Sequence, residues 1–538
     1  MSTVIEDQRG SLLQKIWEEH RGWVLTCAAL VISLAVWKVH GTETVFPKSW
    51  IEAFPFADKV NEFDKWIRPF IQPTTRAIGA GVTWFYELVV DWLTFTQWQI
   101  VFVILVLPAF AYGGLRLGLL AVFAVGSWLV LDMWDAAMET LSLMTISIAI
   151  SVMIGVLIGI VASQNDRFET IIKPILDTMQ TLPAFIYLIP AFYLFGLGAP
   201  GAILATVIYA LPPVVRLTNL GIRQVPAGID EAATSFGATK IQSLVKVKIP
   251  MAMPAIKLGI NQTVMMALAL VVLATFIAAP GLGDIVLRGM MRLNVGKALE
   301  GGLAIVLMAI VLDRITNAMG QAEQTSGSRH DHVFRLFPQG FEQVKPILYI
   351  EYSIDWAWRQ ISRTGNLVTL VIVTGICKLA TIYNSEISVK LREILLAYSF
   401  LIASIALITV MMLLDTHTDI FGNFPRAWEH RFRTPVNQYM DELVTNEVFY
   451  GITTWIKESL YFGLINPLNT FLKGLPWWYT SLIFICIARL ISGRGLAIAT
   501  AIGFLFIGAT DLWILGMITL STVTVSVLIC FIVGVPLG

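Results

Sequence analysis

Charge is scarce in this chain. Asp, Glu, Lys and Arg make up 14% of its 538 residues, against about 25% in a soluble domain. Acidic and basic residues cancel to a formal net charge of zero, so no global field recruits nucleic acid or acidic partners. Cysteine is rarer still. Cys27, Cys377, Cys486 and Cys530 all fall in apolar stretches without paired spacing, and they read as small apolar side chains rather than disulfides or metal ligands. The histidines supply one close pair, His330 and His332 around Asp331 in a polar stretch, which is too few ligands for a metal. A phosphate-binding loop is also missing. Gly296-Lys297-Ala298 has neither the upstream glycine nor the Ser or Thr that would hold magnesium. No Ser-His-Asp set and no paired carboxylates fall in one loop, so no catalysis is expected within the chain. Finally, no small-residue cleavage site follows the apolar stretch 23–39, which reads as a retained span behind a cytoplasmic N-terminus at 1–22.

What is abundant is apolar sequence, 56% of the chain. One soluble core of that size conflicts with the usual splitting of chains into domains. Apolar segments recur near 23–39, 98–113, 115–131, 137–162, 171–195, 200–218, 255–280 and 300–319, then near 394–414, 477–491, 494–514 and 517–538. The expected fold is an all-α polytopic membrane protein with about 12 transmembrane helices. Several segments are interrupted: Pro183 and Pro190, Pro212 and Pro213, Gly155 and Gly159. In lipid such breaks are tolerated where neighbours or a water-lined cavity satisfy the freed backbone groups, so each is a packing kink or part of a pathway. Arg116, then Arg167 with Lys173, then Arg223 with Lys240, Lys246 and Lys248 fall in alternate loops. Placing them in the cytoplasm puts 40–97, 132–136, 196–199 and 281–299 outside. The stretch 366–383 is apolar but contains Lys378 between basic flanks, and a surface or re-entrant placement is favoured over a crossing.

The outer stretch 40–97 is not an ordinary linker. Trp50, Phe54, Phe56, Phe63, Trp66, Phe70, Trp84, Phe85, Tyr86 and Trp92 are spread among charged residues. Aromatic amphipathic segments favour the bilayer interface, so one or two helices lying along the outer surface are expected. The competing reading is an aromatic cage for a cation.

The chain also repeats itself. At an offset of 379 residues, Gly114, Leu117, Asp132, Trp134, Leu141, Ser142, Thr145, Ser147, Gly155 and Gly159 meet Gly493, Leu496, Asp511, Trp513, Leu520, Ser521, Thr524, Ser526, Gly534 and Gly538. The expected domain order is a scaffold region at 23–131, a membrane core at 132–320, a linker at 321–393 and the start of a second, incomplete repeat at 394–538. The second copy ends at the counterpart of Gly159, which reads as a truncated tandem protein.

The most informative segment is 225–250. Glu231-Ala232-Ala233, Gly237 and Val247-Lys248-Ile249-Pro250 lie at fixed spacing between two membrane segments. A carboxylate pair at a helix start favours the positive end of the dipole, Ala232 and Ala233 keep a surface small, Gly237 permits a sharp turn and Pro250 suits the start of the next span. This pattern resembles the coupling loop of bacterial ABC importer permeases. Gln180-Thr181-Leu182-Pro183, Tyr187-Leu188-Ile189-Pro190, Tyr209-Ala210-Leu211-Pro212-Pro213, Gly259-Ile260-Asn261-Gln262-Thr263 and Asp313-Arg314 extend the likeness to the glycine betaine/proline branch over 137–320. The resemblance implies a type I permease bundle with five conducting helices per half in a bacterial inner membrane. It implies cytoplasmic ATP-binding subunits carrying the ATP and magnesium and docking on Glu231, Ala232, Ala233, Gly237, Val247, Ile249 and Pro250. It further implies a periplasmic substrate-binding protein that delivers an osmolyte such as glycine betaine, proline betaine, choline or proline.

Polar and aromatic residues inside the spans are pathway candidates: Gln180, Thr181, Phe185, Tyr187, Tyr209, Asn261 and Gln262. For each, an interhelical hydrogen bond or plain packing is the competing reading. An ion-gradient-driven transporter of the same solutes would show similar broken helices and repeats, and a membrane scaffold sensing osmotic state is a third class.

Overall fold

The computed structural model describes residues 44–322, 408–411, 413 and 424–537. The segments 1–39 and 366–383, most of 394–414, His330, His332, Cys27 and Cys377 lie outside the described residues. Within them the chain is helical. Among the described residues, seven helices are long and apolar enough to cross a membrane, and an eighth span is added if one bent pair counts as a crossing.

The outer stretch forms α1 (Lys48–Ala53) and α2 (Phe56–Phe95). The forty residues of α2 span about 60 Å at 1.5 Å per residue. Thr75, Gly79, Tyr86 and Leu93 recur at helical spacing on its buried side. Phe63, Trp66, Phe70, Trp84, Trp92 and Phe95 form the opposite, exposed stripe. Trp66 and Trp84 stand eighteen residues, five turns, apart on one face and are 61% and 64% exposed. Nitroxides at these two positions should report a lipid interface by oxygen accessibility. A bulk-water signal at both would show that the stripe faces solvent.

Compact packing divides the chain into two units. Of the described residues, one unit holds those between 72 and 440 and the other holds 44–71 together with 441–537.

In the first unit α3 (Trp98–Val130) carries a break at Gly114, with φ 67° and ψ −163°. A Cβ on Gly118 would fall 2.0 Å from the Phe110 ring, whereas residues eight apart in a straight helix are separated by about 12 Å. The helix is therefore bent sharply into the two arms that the sequence separates at 113/115. The core that follows is α4 (Trp134–Gln164), α5 (Asp166–Thr181), a 3₁₀ turn (Ala184–Tyr187), α6 (Leu188–Phe195) and α7 (Ala199–Arg223). After the polar loop come α10 (Ile249–Leu273), α11 (Leu282–Met291) and α12 (Val295–Ala322), where α8 and α9 are the two short loop helices Ala227–Ser235 and Lys240–Ser243.

Small residues hold this core together, as expected where lipid removes the hydrophobic drive between helices. Ser147, Ser151, Gly155 and Gly159 follow one another every four residues down α4. The hydroxyls of Ser147 and Ser151 reach across to the carbonyls of Ile203 and Val207 at 3.5 and 3.3 Å. Gly155 and Gly159 lie against Val214, Val215 and Thr218 of α7. α10 packs on α7 as well: Gly259 approaches Val214 and Pro213, and Thr263 donates to the Ala210 carbonyl at 3.0 Å.

The segment expected as one span over 171–195 is instead α5 and the Ala184–Phe195 helices, bent by 109°. Pro183 explains the bend. It removes an N–H and pushes the residue before it out of the α region, and Leu182 sits at φ −69°, ψ 132°.

In the second unit the described helices include α14 (Glu447–Leu460), α15 (Asn466–Gly474), α16 (Trp477–Ala509) and α17 (Trp513–Leu537), and α13 (Arg433–Thr445) leads into them. Leu472, Leu475, Tyr479, Trp513 and Met517 form their core. The 379-residue offset reappears here in the backbone. Adding it to the ends of α3 gives the ends of α16, and Trp134 at the start of α4 maps to Trp513 at the start of α17. Gly114 maps to Gly493, with φ 80° and ψ −157°. Asp132 and Asp511 both adopt left-handed φ, 57° and 59°. In each turn the same two bonds recur: Asp132 N–H to Leu129 O at 3.2 Å and Met133 N–H to Trp128 O at 2.8 Å, then Asp511 N–H to Gly508 O at 3.2 Å and Leu512 N–H to Ile507 O at 3.1 Å. This is the pair of bonds that closes a helix on a left-handed residue. Asp is one of the few residues other than glycine to tolerate that conformation.

Candidate functional site

The loop between α7 and α10 is a small folded object. α8 ends where Gly237 takes φ +81°. Its N–H donates to Thr234 O at 2.9 Å, and the Ala238 N–H donates to Ala233 O at 3.1 Å, so the last carbonyls of α8 are satisfied by a glycine cap. α9 starts two residues later with a capping box. The Thr239 hydroxyl accepts from the Gln242 N–H at 3.3 Å, and the Gln242 side chain accepts from the Thr239 N–H at 2.9 Å. The pattern Thr-x-x-Gln is itself a helix-start signal in the sequence.

The two short helices are tied to each other. Ser243, which is buried, donates to Asp230 Oδ1 at 2.5 Å, and Lys248 Nζ lies 2.7 Å from Asp230 Oδ2. The Lys248 ammonium, and after it the Ser243 hydroxyl, hold the Asp230 carboxyl below its ordinary value. A depressed carboxyl stabilises the tie while ionised, and that support is lost as pH falls through the depressed value. Asp230→Asn should therefore raise hydrogen exchange of the α8 and α9 amides at neutral pH and flatten its response to acid. Equal protection in both proteins would show the tie to be idle.

Glu231 and Ala232 are exposed on α8, and Ala233 is half-buried. Beside them stand two apolar side chains that sequence reasoning passed over, Phe236 at 93% exposure and Ile241 at 74%. Val247 and Ile249 are half-buried and Pro250 is exposed. Pro250 lies in the first turn of α10, at the start of that helix as the sequence implied, but no loop precedes it. α9 runs into α10 through a π turn over Leu244–Lys248, and the helical stretch is continuous over Lys240–Ile277. A proline ring collides with the carbonyl four residues earlier, and widening the turn ahead of Pro250 relieves that collision.

The same end of the core gathers the basic residues expected on one membrane side. Arg223, at the end of α7, pairs with Asp166 at 2.7 Å and Glu169 at 3.1 Å, and Lys173 pairs with Glu169 at 3.0 Å.

The pathway candidates separate into groups. Tyr187, buried in the 3₁₀ turn, donates to the Met179 carbonyl at 2.5 Å and packs on Tyr209 with ring centres 5.6 Å apart. Phe185, in the same turn, packs edge-on against Phe276 at 5.4 Å, and both rings remain about half exposed. Phe276, at the end of the α10 rod, was not singled out in the sequence because nothing local marks it. Asn261 accepts from Thr316 of α12 at 2.5 Å, which is an interhelical bond. Thr181 donates to the Thr178 carbonyl at 3.0 Å. Gln180 and Gln262 are exposed.

A family model described as the binding-protein-dependent transport system inner membrane component matches residues 151–322. The glycine betaine/proline betaine transport system permease protein ProW of Escherichia coli (strain K12) is 40% identical over 278 residues, which cover 51% of this chain and 78% of that protein. The glycine betaine transport system permease protein OpuAB of Bacillus subtilis (strain 168) is 40% identical over 277 residues, 51% of this chain and 97% of that protein. The chain belongs to the binding-protein-dependent transport permeases. This permease is a multi-pass inner-membrane protein and the membrane-spanning subunit of an ABC importer. The likeness continues past the bundle. The trimethylamine N-oxide transport system permease protein TmoV of Ruegeria pomeroyi is 28% identical over 441 residues, 82% of this chain and 58% of that protein, so that match extends beyond residue 322.

Proposed function

We propose that this permease imports a quaternary-ammonium compatible solute, such as glycine betaine, proline betaine, choline or proline, and that ATP-binding subunits drive it through the loop 225–250. In this reading ATP and magnesium sit on those partner subunits and this chain hydrolyses nothing. A periplasmic substrate-binding protein delivers the solute to the outward-open bundle. One observation carries the proposal: α8 and α9 form a hairpin internally tied at Asp230 that presents Phe236 and Ile241 while being continuous with a core helix. Exposed aromatic and aliphatic knobs on a rigid support are what a docking interface needs at its centre. For the ligand, the half-exposed rings of Phe185 and Phe276 beside Tyr187 and Tyr209 offer the π faces that a quaternary ammonium prefers.

The test is made in proteoliposomes holding the complete importer. Cysteines at Phe236 and Ile241 should crosslink to the ATP-binding subunit, and Phe276→Ala should lower betaine uptake several-fold, consistent with one cation–π contact of about 0.5–2 kcal/mol. Crosslinks that never reach that subunit, or maleimide labelling of Phe236→Cys from the outer side, would overturn the docking reading.

A further inference from the structure

The sequence begins each repeat with a short motif that the offset of 379 passes by. Phe46-Pro47-Lys48-Ser49-Trp50 precedes the first copy and Phe424-Pro425-Arg426-Ala427-Trp428 the second. The two fold alike. The Trp50 N–H donates to Pro47 O at 3.0 Å, and the Trp428 N–H donates to Pro425 O at 2.9 Å. In the first the Phe and Trp rings meet edge-on at 5.6 Å and 79°, in the second at 6.0 Å and 80°. Each motif is a compact clip with its phenylalanine pointing at a tryptophan elsewhere.

That second tryptophan belongs to the other repeat. Phe46 packs on Trp477 at 4.6 Å, while Phe424 packs on Trp98 at 5.3 Å. Trp98 and Trp477 are equivalent, each the first residue of its bent helix. The far arm of each bent helix receives the clip as well. Phe46 is 2% exposed and lies so close to Gly508 that a Cβ there would fall 2.2 Å from its ring, and Phe56 packs on Phe506 at 5.1 Å. In the other unit the His430 N–H donates to Val130 O at 2.8 Å, and Arg431 pairs with Asp132 at 2.9 Å. The second clip then continues into the core. The Arg433 N–H and guanidinium bind Glu300, which is 2% exposed, at 2.8 and 3.1 Å. Asn437 accepts from the Gly296 N–H at 2.7 Å and donates to Asn294 at 3.0 Å.

We propose that the two repeats are interlocked by reciprocal exchange: the bent helix that opens each repeat is completed by the clip of the other. Chain geometry enforces one direction. Between Phe46 and Trp98 lies α2, about 58 Å from first to last residue at 1.5 Å per step. The residues outside it, 46–56 and 95–98, reach about 45 Å at full extension. The first clip cannot return to its own bent helix while α2 is formed, so it must seat on another copy. The second copy lies in the same chain. The exchange also explains why compact packing groups 44–71 with 441–537 and leaves 424–440 with the first repeat.

The experiment uses the complete chain, cysteine-free except for introduced pairs, with a protease site inserted after Thr325. Two pairs report exchange, Phe46→Cys with Trp477→Cys and Trp98→Cys with Phe424→Cys. Two report clips seated at home, Phe46→Cys with Trp98→Cys and Phe424→Cys with Trp477→Cys. Under copper phenanthroline the exchanged pairs should close at least tenfold faster than the home pairs. Their disulfides should hold the two fragments at full-chain mass on a non-reducing gel after cleavage. Home pairs closing as fast, or exchanged pairs giving bands at twice the chain mass, would overturn the proposal. So would exchanged pairs that stay open in protein whose thiols all react with maleimide.

Discussion

Gly237→Leu should abolish substrate-stimulated ATP hydrolysis in the reconstituted importer while the permease still inserts and purifies. The split between the two readouts follows from the geometry. A Cβ at this position meets nothing within 4 Å, so the fold is not crowded. The cost lies in φ +81°, which an ordinary L residue occupies at a penalty of about 1–2 kcal/mol. The loop escapes that penalty by turning α8 relative to α9, and the Asp230 bonds to Ser243 and Lys248 are what the turn pulls apart. A ligand shifts a conformational equilibrium only by its differential affinity for the two states, and a docking surface with altered geometry loses that difference. Gly237→Asn is the control. Asparagine tolerates left-handed φ and should retain most of the stimulation. If leucine leaves stimulation unchanged, the loop is not the transmission element.

Gly159→Leu should remove the folded permease altogether, read as loss of the monodisperse peak in detergent. Even the first added carbon would fall 2.6 Å from Thr218 Cβ and 2.8 Å from the Val215 carbonyl. The second of these is backbone and cannot rotate away. Overpacking of a tight core costs about 1–3 kcal/mol, occasionally more. Here the only relief is separation of α4 from α7, which also breaks the Ser147 and Ser151 contacts to the neighbouring helix. Gly302→Ala in α12 is the contrast, since its Cβ would meet nothing within 4 Å, and it should leave the elution profile unchanged. A normal peak for the Gly159 variant would mean that α4 and α7 are more loosely packed than these contacts imply.

Much of the bundle was legible because apolar length and charged loops are local signals. The spans at 137–162, 200–218 and 300–319 emerge as α4, α7 and α12 with ends displaced by a few residues. The break between 113 and 115 was legible because two glycines and an arginine interrupt an apolar run. The 109° bend at Pro183 was not, since a proline in a span is equally compatible with a mild kink and only packing decides. Phe236 and Ile241 were overlooked for a related reason: exposure is not written in residue type. The clips were the hardest. Phe46 and Trp477 are separated by 431 residues, and no periodicity links them. The site's internal tie lay between these extremes, because Thr239 and Gln242 announce a helix start while Asp230, Ser243 and Lys248 show their relation only once two short helices are folded against each other.

The unbroken helical stretch from Lys240 to Ile277 has a mechanical consequence. Its 38 residues extend about 57 Å, from the loop to the aromatic turn that holds Phe276. A stroke delivered at α9 needs no relay through side chains; the lever arm is a single piece of backbone. If ATP-binding subunits push on α9 as proposed, the wide π turn at Leu244–Lys248 is the first piece of that backbone to take up the push.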